Sequence, residues 1–303
     1  MMFGKKILYC LLISLCCTGC FQRFVMSKRE IREYYKGKSK PTFFTIQNDS
    51  VRLFVAATGS DTLPPLLSIH GAPGAWYGSR NLLDDSIIQK QYHILAVDRP
   101  GYNKSTFKGS RKPVTSIETQ AVAIHEALRL NRSFKTGIVL GSSFGGPIAA
   151  KIASMYPGEF HELVMLAPAI DPSKEKFWWF HPYIRYRIMR IFLPRFFRSA
   201  TAEKFAHIEE LKKLTPIWSK LSVHVTMVQG GSDHMVDPSN LDFAKRELRG
   251  KTVDFIYLPK AGHFIRSQYP EVVRSILMHS LQHVRPAESA FSTEFGDTKP
   301  PEK

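Results

Sequence analysis

The amino-acid sequence predicts an α/β fold, with helices on both faces of a mostly parallel central sheet. The main observation is that short apolar segments typical of strands alternate with segments of helical spacing between residues 41 and 284. Strands that are buried on both faces are continuously apolar, and their alternation with helices is typical of crossover connections. The chain has 303 residues, of which 44% are hydrophobic and 22% charged, so it can bury one sizeable core.

The elements follow one another in a regular order. Strands are predicted at TFFTI, VRLFVAAT, PLLSIHG, YHILAVD, TGIVL, ELVMLAP, VHVTMVQG and VDFIYLP, the first two as a hairpin. Helices are predicted at residues 116–130, 147–157, 239–249 and 270–283. The α/β core therefore comprises residues 41–170 and 221–284.

Residues 171–220 interrupt this order and are predicted to form a helical cap. Their first half, KFWWFHPYIRYRIMRIFLPRFFR, is aromatic and basic. It could line an apolar pocket for an acyl or aromatic group, face a membrane, or pack on its own core. Under the first of these hypotheses Trp178, Trp179 and Phe180 contact substrate. The last segment, residues 285–303, is rich in Pro, Ser and charge and is predicted to be disordered.

Residues 1–20 are predicted to be a secretory signal. Two lysines precede an 11-residue apolar stretch, Ile7–Cys17, which is short of the roughly 20 residues that span a bilayer. The following Thr-Gly-Cys resembles a bacterial lipoprotein signal, although Cys17 stands where that family usually has Leu. The resemblance implies lipid on Cys20 and a membrane lipoprotein of the cell envelope. A plain secretory signal and an uncleaved anchor are the alternatives.

The formal net charge of +16 requires an interpretation. The basic residues are scattered and no nucleic-acid-binding module is present, so nucleic acid is not a predicted partner. A basic linker at residues 21–40 would lie at an anionic membrane surface next to a lipid on Cys20, or would simply be solvated. All four cysteines lie in residues 10–20, so the mature chain has no internal disulfide and no cysteine-based zinc site. No metal or cofactor is predicted.

The segment LGSSFGG, residues 140–146, contains two adjacent serines that differ in their neighbours. Gly141 and Gly145 place Ser143 in a G-x-S-x-G frame, whereas Ser142 has no glycine two residues before it. A nucleophile on a sharp strand-to-helix turn is strained, and neighbours without side chains relieve the crowding. By itself the pentapeptide fits a glycine-rich loop equally well.

Two further segments give this frame a context. HGAPG, residues 70–74, and DRPGYNKS, residues 98–105, each follow a predicted strand. With GSSFG they have the order and spacing of the α/β-hydrolase family, which the sequence resembles from about residue 42 to 284. The resemblance implies that Ser143 is the nucleophile, and that the backbone N–H groups of Ala72 and Phe144 form the oxyanion hole. His70, Asp98 and Arg99 are expected to fix loops.

The same resemblance assigns a base and an acid. His263, in AGHF, follows the last predicted strand and matches the family's catalytic histidine. Asp233, in GGSD, would orient that histidine and stabilise its protonated form. Asp237 and Asp171 are alternative positions for the acid. His279 and His283 lie four residues apart on the last helix, where an ordinary helix surface is expected.

The predicted function is that of an exported serine hydrolase that cleaves carboxylic esters of a small-molecule acyl substrate through an acyl-enzyme. A serine at position 143 excludes the aspartate nucleophile of dehalogenases and epoxide hydrolases. HGAPG also resembles proline-type aminopeptidases, which would need an acidic pocket for the substrate amine, whereas the cap is basic. A non-catalytic surface binding protein on a hydrolase scaffold is the alternative from another class.

Overall fold

The computed structural model describes residues 25–177, residue 184 and residues 193–287. These residues form a nine-stranded sheet of order β1-β2-β4-β3-β6-β7-β8-β9, with β5 paired to β2. The strands are β1 Thr42–Gln47, β2 Val51–Thr58, β3 Pro65–Ile69, β4 His93–Val97, β5 Thr106–Phe107, β6 Gly137–Ser142, β7 Phe160–Leu166, β8 His224–Gly230 and β9 Val253–Leu258.

The sheet is antiparallel at one edge and parallel elsewhere. β2 pairs antiparallel with β1, β4 and β5, and every pair from β4 across to β9 is parallel. β3, β4 and β7 are buried along their whole length, which explains their continuously apolar sequences. The predicted α/β fold with a mostly parallel sheet is confirmed.

Helices cover both faces of the sheet. They are α1 Lys28–Tyr34, α2 Arg80–Leu83, α3 Ser86–Gln89, α4 Ile117–His125, α5 Gly145–Met155, α6 Arg195–Leu214, α7 Asn240–Glu247, α8 Ile265–Gln268 and α9 Pro270–Ser280. Buried residues of α4, α5, α7 and the end of α6 form one hydrophobic cluster with the sheet, and those of α2, α3, α8 and α9 form another. No helix in the described ranges is long and apolar enough to cross a membrane.

The segment predicted as a basic linker contains a docked helix. Ser27 caps α1 through a reciprocal hydrogen-bonded box with Glu30. Tyr35, directly after α1, is 3% exposed, and its ring stacks on Trp76 with 6.3 Å between centroids. The structure therefore differs from the linker prediction at residues 25–40, because apolar side chains interleaved with the basic ones pack on the core.

One other predicted boundary also differs from the structure. The segment predicted as a disordered tail begins with three ordered residues, since Arg285 accepts a 2.7 Å hydrogen bond from Thr136 N and Ala287 donates to Phe134. The 20-residue α6 lies in the segment predicted as a cap. Trp178, Trp179 and Phe180, predicted to contact substrate, and Cys20, the predicted lipid site, lie outside the described residues.

Replacing Tyr35 tests whether the N-terminal segment contributes to stability. Tyr35→Ala removes a buried aromatic ring that packs on Trp76, and we expect the free energy of unfolding to fall by about 3 kcal/mol. The measurement is urea unfolding followed by tryptophan fluorescence. The neighbouring Lys36 is exposed, so Lys36→Ala should change stability by less than about 0.5 kcal/mol. Equal, small effects would show that this segment is not docked.

Candidate active site

Ser143 lies at a sharp turn between β6 and α5, and its backbone φ of +54° is in the left-handed region. A non-glycine residue adopts this conformation only at a cost, which is typical of functional turns. The turn also requires the neighbouring glycine at its helical end. A Cβ at Gly145 would lie 2.6 Å from the carbonyl oxygen of Ile69 and 2.8 Å from that of His70.

The HGAPG loop passes directly against this serine. A Cβ at Gly71 would lie 3.0 Å from the Cβ and 3.6 Å from the Oγ of Ser143. Ala72 follows Gly71, and its peptide bond to Pro73 is cis. Phe144 precedes the first residue of α5, at a helix end whose N–H groups lack intrahelical acceptors. Ala72 and Phe144 line the same cavity as Ser143.

His263 and Asp233 are hydrogen-bonded to each other. Asp233 lies in the loop after β8 and His263 in the loop after β9, and 2.8 Å separates His263 Nδ1 from Asp233 Oδ2. The other carboxylate oxygen of Asp233 accepts from the backbone N–H groups of Met235 and Val236, at 2.8 and 2.9 Å. Both side chains are therefore held in fixed orientations.

The environment of Asp233 favours its ionised form. Burial by itself raises the pKa of this carboxyl group. The hydrogen bond and charge of His263, together with the two backbone donors, lower that pKa by more than burial raises it. The net effect is a pKa below the ordinary value for aspartate. A carboxylate that is ionised at neutral pH can stabilise a protonated imidazole at His263.

The two alternative acids are engaged elsewhere. Asp171 accepts from the backbone N–H and hydroxyl of Ser173, at 2.8 and 2.7 Å. Asp237 makes the equivalent bonds to Ser239 and pairs with Lys176 at 3.3 Å. Of the three candidates, Asp233 is the one that the structure places against His263.

A cavity of about 810 Å³ lies above the carboxyl ends of the parallel strands, where open α/β sheets bind their ligands. Ser143 and His263 both line it, and so do Phe197 and Lys204 of α6. The structure thus brings Ser143, His263, Ala72 and Phe144 to one cavity. The cavity lining includes apolar and basic side chains, and some of them come from the described part of the predicted cap.

A buried ion pair connects α6 to the core. The Arg99 guanidinium, 0% exposed, forms a bidentate pair with Glu203 of α6 at 2.6 and 3.0 Å. It also donates to Gln120 Oε1 at 2.8 Å and to the carbonyl oxygen of Gly71 at 3.0 Å. One side chain of the DRPG segment therefore links the cap helix, α4 and the HGAPG loop.

His70 and Asp98 complete this support. The backbone N–H of Arg99 donates to His70 Nε2 at 3.0 Å, and His70 Nδ1 donates to the Gly71 carbonyl oxygen at 2.7 Å. This pattern requires a neutral imidazole, and burial together with the Arg99 charge holds the pKa of His70 well below its usual range. Asp98 accepts from the backbone of Trp76 and from Asn103 Nδ2. The structure thus places all three predicted loop-fixing residues in loop contacts.

The role of Arg266, a charged residue of the cavity wall, was not predicted from the sequence. Arg266 lies on α8, three residues after His263, and donates hydrogen bonds to Ser142 Oγ at 2.5 Å and to Ser68 Oγ at 3.2 Å. Ser142, the serine of the pair that is not the candidate nucleophile, therefore accepts a hydrogen bond from an arginine. No local pattern signals this contact, because 124 residues separate the two partners.

One group in the described residues has the donor set of a metal site. Glu162, His224 and His283 offer one ligand atom each, and these atoms lie within 4.8 Å of one another. The group is at the start of β7 and β8, the end of the sheet opposite the cavity. His224 Nε2 lies 3.2 Å from Asp254, and Glu162 accepts from Thr226 Oγ1 at 2.6 Å. These residues are separate from the cavity and therefore from Ser143.

Fold and site together define a class of protein. A parallel sheet that delivers a strained serine, a loop carrying HGAPG, and a His–Asp pair to one cavity is the architecture of a hydrolase. The chain matches the alpha/beta hydrolase fold family over residues 64–215, which is half of its length, and it belongs to that family.

Curated relatives share limited identity with this chain. It is 32% identical over 119 residues to epoxide hydrolase 1 of Caenorhabditis elegans, which covers 39% of this chain and 28% of that protein. It is 26% identical over 159 residues to AB hydrolase superfamily protein YfhM of Bacillus subtilis, covering 51% of this chain and 49% of the relative. The matches therefore span half or less of these relatives.

Solved structures extend the likeness across most of the chain. A membrane phospholipase A described as a bacterial virulence factor superposes with a TM-score of 0.64 at 19% identity, covering 92% of this chain and 99% of that one. The N-acyl homoserine lactonase AidH superposes with a TM-score of 0.61, also at 19% identity, over 84% and 100%. At this identity the likeness supports the fold.

The Arg99–Glu203 pair provides a stability prediction. Glu203→Gln leaves the buried Arg99 charge without its counter-charge, so we expect the free energy of unfolding to fall by about 3 kcal/mol. Glu209, on the same helix, pairs with Lys212 on the surface, where both side chains are more than half exposed. Glu209→Gln should cost less than about 0.5 kcal/mol. Urea unfolding of both variants makes the comparison, and equal losses would contradict a structural role for the buried pair.

Proposed function

We propose that this protein is a serine hydrolase that cleaves carboxylic esters through an acyl-enzyme on Ser143. The observation that carries the proposal is the strained backbone of Ser143, at φ +54°, in a cavity that also exposes the hydrogen-bonded His263. Strain of this kind persists only where the surroundings over-determine it, and it is concentrated at functional sites.

The proposed reaction assigns one role to each group. Ser143 Oγ attacks the acyl carbon while His263 takes the hydroxyl proton, and Asp233 stabilises the resulting imidazolium. The backbone N–H groups of Ala72 and Phe144 stabilise the developing oxyanion. His263 then returns the proton to the leaving alcohol. Water, activated in the same way, attacks the acyl-enzyme and releases the acid.

Ester cleavage has more support than the alternatives that the sequence left open. Relatives named as epoxide hydrolases match this chain, but position 143 holds a serine here. A proline-type aminopeptidase needs an acidic group for the substrate amine. On the cavity wall, Glu175 is already paired with Lys204, and Asp171 accepts hydrogen bonds from Ser173. In a non-catalytic binding protein, nothing would offset the cost of a strained serine in the same cavity as an oriented imidazole.

An active-site fluorophosphonate tests the nucleophile directly. We expect the reagent to label Ser143 of the folded protein, identified by mass spectrometry of its peptide, and p-nitrophenyl ester hydrolysis to cease with labelling. Ser143→Ala should lower the rate of hydrolysis by about 10³-fold or more, because the covalent step is lost.

The neighbouring serine supplies the matched control. Ser142→Ala removes a hydroxyl of the same kind one residue away, and the label should still be found on Ser143. Circular dichroism confirms that both variants are folded. A folded wild-type protein that takes no label on Ser143 would exclude the serine hydrolase.

We further propose that the protein is exported and anchored by lipid on Cys20. The support is the sequence of residues 1–20, namely a basic start, a short apolar stretch and Thr-Gly-Cys. A lipid chain alone binds a membrane weakly, and the basic residues that follow Cys20 would add electrostatic attraction to anionic lipid.

Mass spectrometry of the mature N-terminus decides between the export hypotheses. The expected result for protein purified from bacterial membranes is an N-terminal Cys20 that carries diacylglyceryl and acyl groups. Cys20→Ser should release the protein from the membrane fraction or leave its signal uncut. An unmodified N-terminus at another residue would rule out the lipoprotein.

A further inference from the structure

Two arginines line the cavity beside Ser143 without an acidic partner. Arg266 is 8% exposed and Arg80 is half-buried, and both contribute to the cavity wall. Arg99 and Arg274 pair with Glu203 and Asp85, but neither cavity arginine forms an ion pair with an acidic residue in the described part of the chain. The cavity therefore contains positive charge that these residues do not neutralise.

Neutral groups hold Arg266 in place. Its guanidinium donates to the hydroxyls of Ser68, Ser79 and Ser142. Hydroxyls accept these hydrogen bonds but do not offset the cost of burying a charge. Burial, followed by the Arg80 charge, lowers the pKa of Arg266 to about 10, so the group is still charged at neutral pH.

Arg80 increases the charge at the same place. It directly follows Ser79, whose hydroxyl accepts from Arg266, so the chain brings the two cations together. Arg80 donates a 3.4 Å hydrogen bond to the carbonyl oxygen of Tyr77, and its guanidinium lies 5.3 Å from the centre of the Tyr34 ring. Two adjacent cations repel each other unless an anion lies between or beside them.

The two arginines are the part of this positive charge that lies beside Ser143 and His263. Elsewhere on the cavity wall, Lys204 pairs with Glu175 and Lys176 pairs with Asp237. Lys174 and Asp171 add one charge of each sign there. Arg266, by contrast, is three residues from His263 and bonds the serine that precedes Ser143. The uncompensated charge thus lies next to the proposed nucleophile and base, where it can contact one end of a substrate that occupies the cavity.

We propose that Arg80 and Arg266 bind an anionic group of the substrate, a carboxylate or a phosphate, and that the enzyme therefore prefers esters with an acidic group. This inference rests on the proposed function, because it specifies the substrate class of that site. The planar guanidinium presents paired donors that match the two oxygens of either anion. An arginine already held by three hydroxyls also loses little conformational freedom when it binds.

A pair of matched esters tests the preference. Mono-p-nitrophenyl glutarate and p-nitrophenyl valerate have acyl chains of the same length, and the first ends in a carboxylate. We expect wild-type enzyme to show a higher kcat/KM for the glutarate, and Arg80→Gln to reduce the glutarate-to-valerate ratio about 10-fold, the effect of losing one charged hydrogen bond. Arg266→Lys keeps the charge but not the paired N–H donors of the guanidinium, and it should also reduce the ratio. Arg249 is exposed, so Arg249→Gln should leave the ratio unchanged.

A binding measurement separates this inference from the proposed reaction. Calorimetric titration of the Ser143→Ala protein with glutarate and with inorganic phosphate requires no turnover. We expect binding of at least one anion that Arg80→Gln weakens about 10-fold, and the tighter anion identifies the group that the site takes. Binding without any ester hydrolysis by wild-type enzyme would contradict the proposed function alone. Hydrolysis with the same ester ratio in wild type and Arg80→Gln, or anion binding that Arg80→Gln leaves unchanged, would overturn the anion site.

Discussion

The backbone strain at Ser143 is the constraint on which the rest of the site depends. Its φ of +54° is held in place by surrounding backbone that approaches closely. Gly71 brings the HGAPG loop against Ser143, and Gly145 lets the first turn of α5 pass the end of β3. A side chain at Gly145 would clash with the backbone at the end of β3, and one at Gly71 would crowd Ser143. The packing of three separate segments therefore fixes one side chain.

The buried Arg99 charge explains why these segments keep their positions. Its guanidinium contacts Glu203 of α6, Gln120 of α4 and the carbonyl oxygen of Gly71. Removing one partner of a buried ion pair is strongly destabilising. The cap helix, the α4 helix and the loop beside Ser143 are thus coupled, and displacement of α6 would also disturb the wall of the cavity.

Local patterns in the sequence were sufficient for the fold and for part of the site. Continuous apolar runs identified the parallel strands, and the glycines around Ser143 identified the turn, because both signals lie within a few residues. Tyr35 and Arg266 were missed for the opposite reason. The first is an apolar residue in a basic stretch, and the second bonds residues as many as 198 positions away. Contacts that depend on tertiary packing leave no periodic signal.

The position of Met26 connects the proposed anchor to the proposed substrate. Met26 lines the cavity, and Cys20 precedes it by six residues. Six fully extended residues span at most about 20 Å. A lipid on Cys20 would therefore hold the cavity within about that distance of the bilayer surface, with Arg80 on the same side as the docked α1. A site at this distance would meet esters at the membrane surface before those that diffuse in solution. The proposed anchor would thus determine where the substrate is met, and the two arginines would determine its charge.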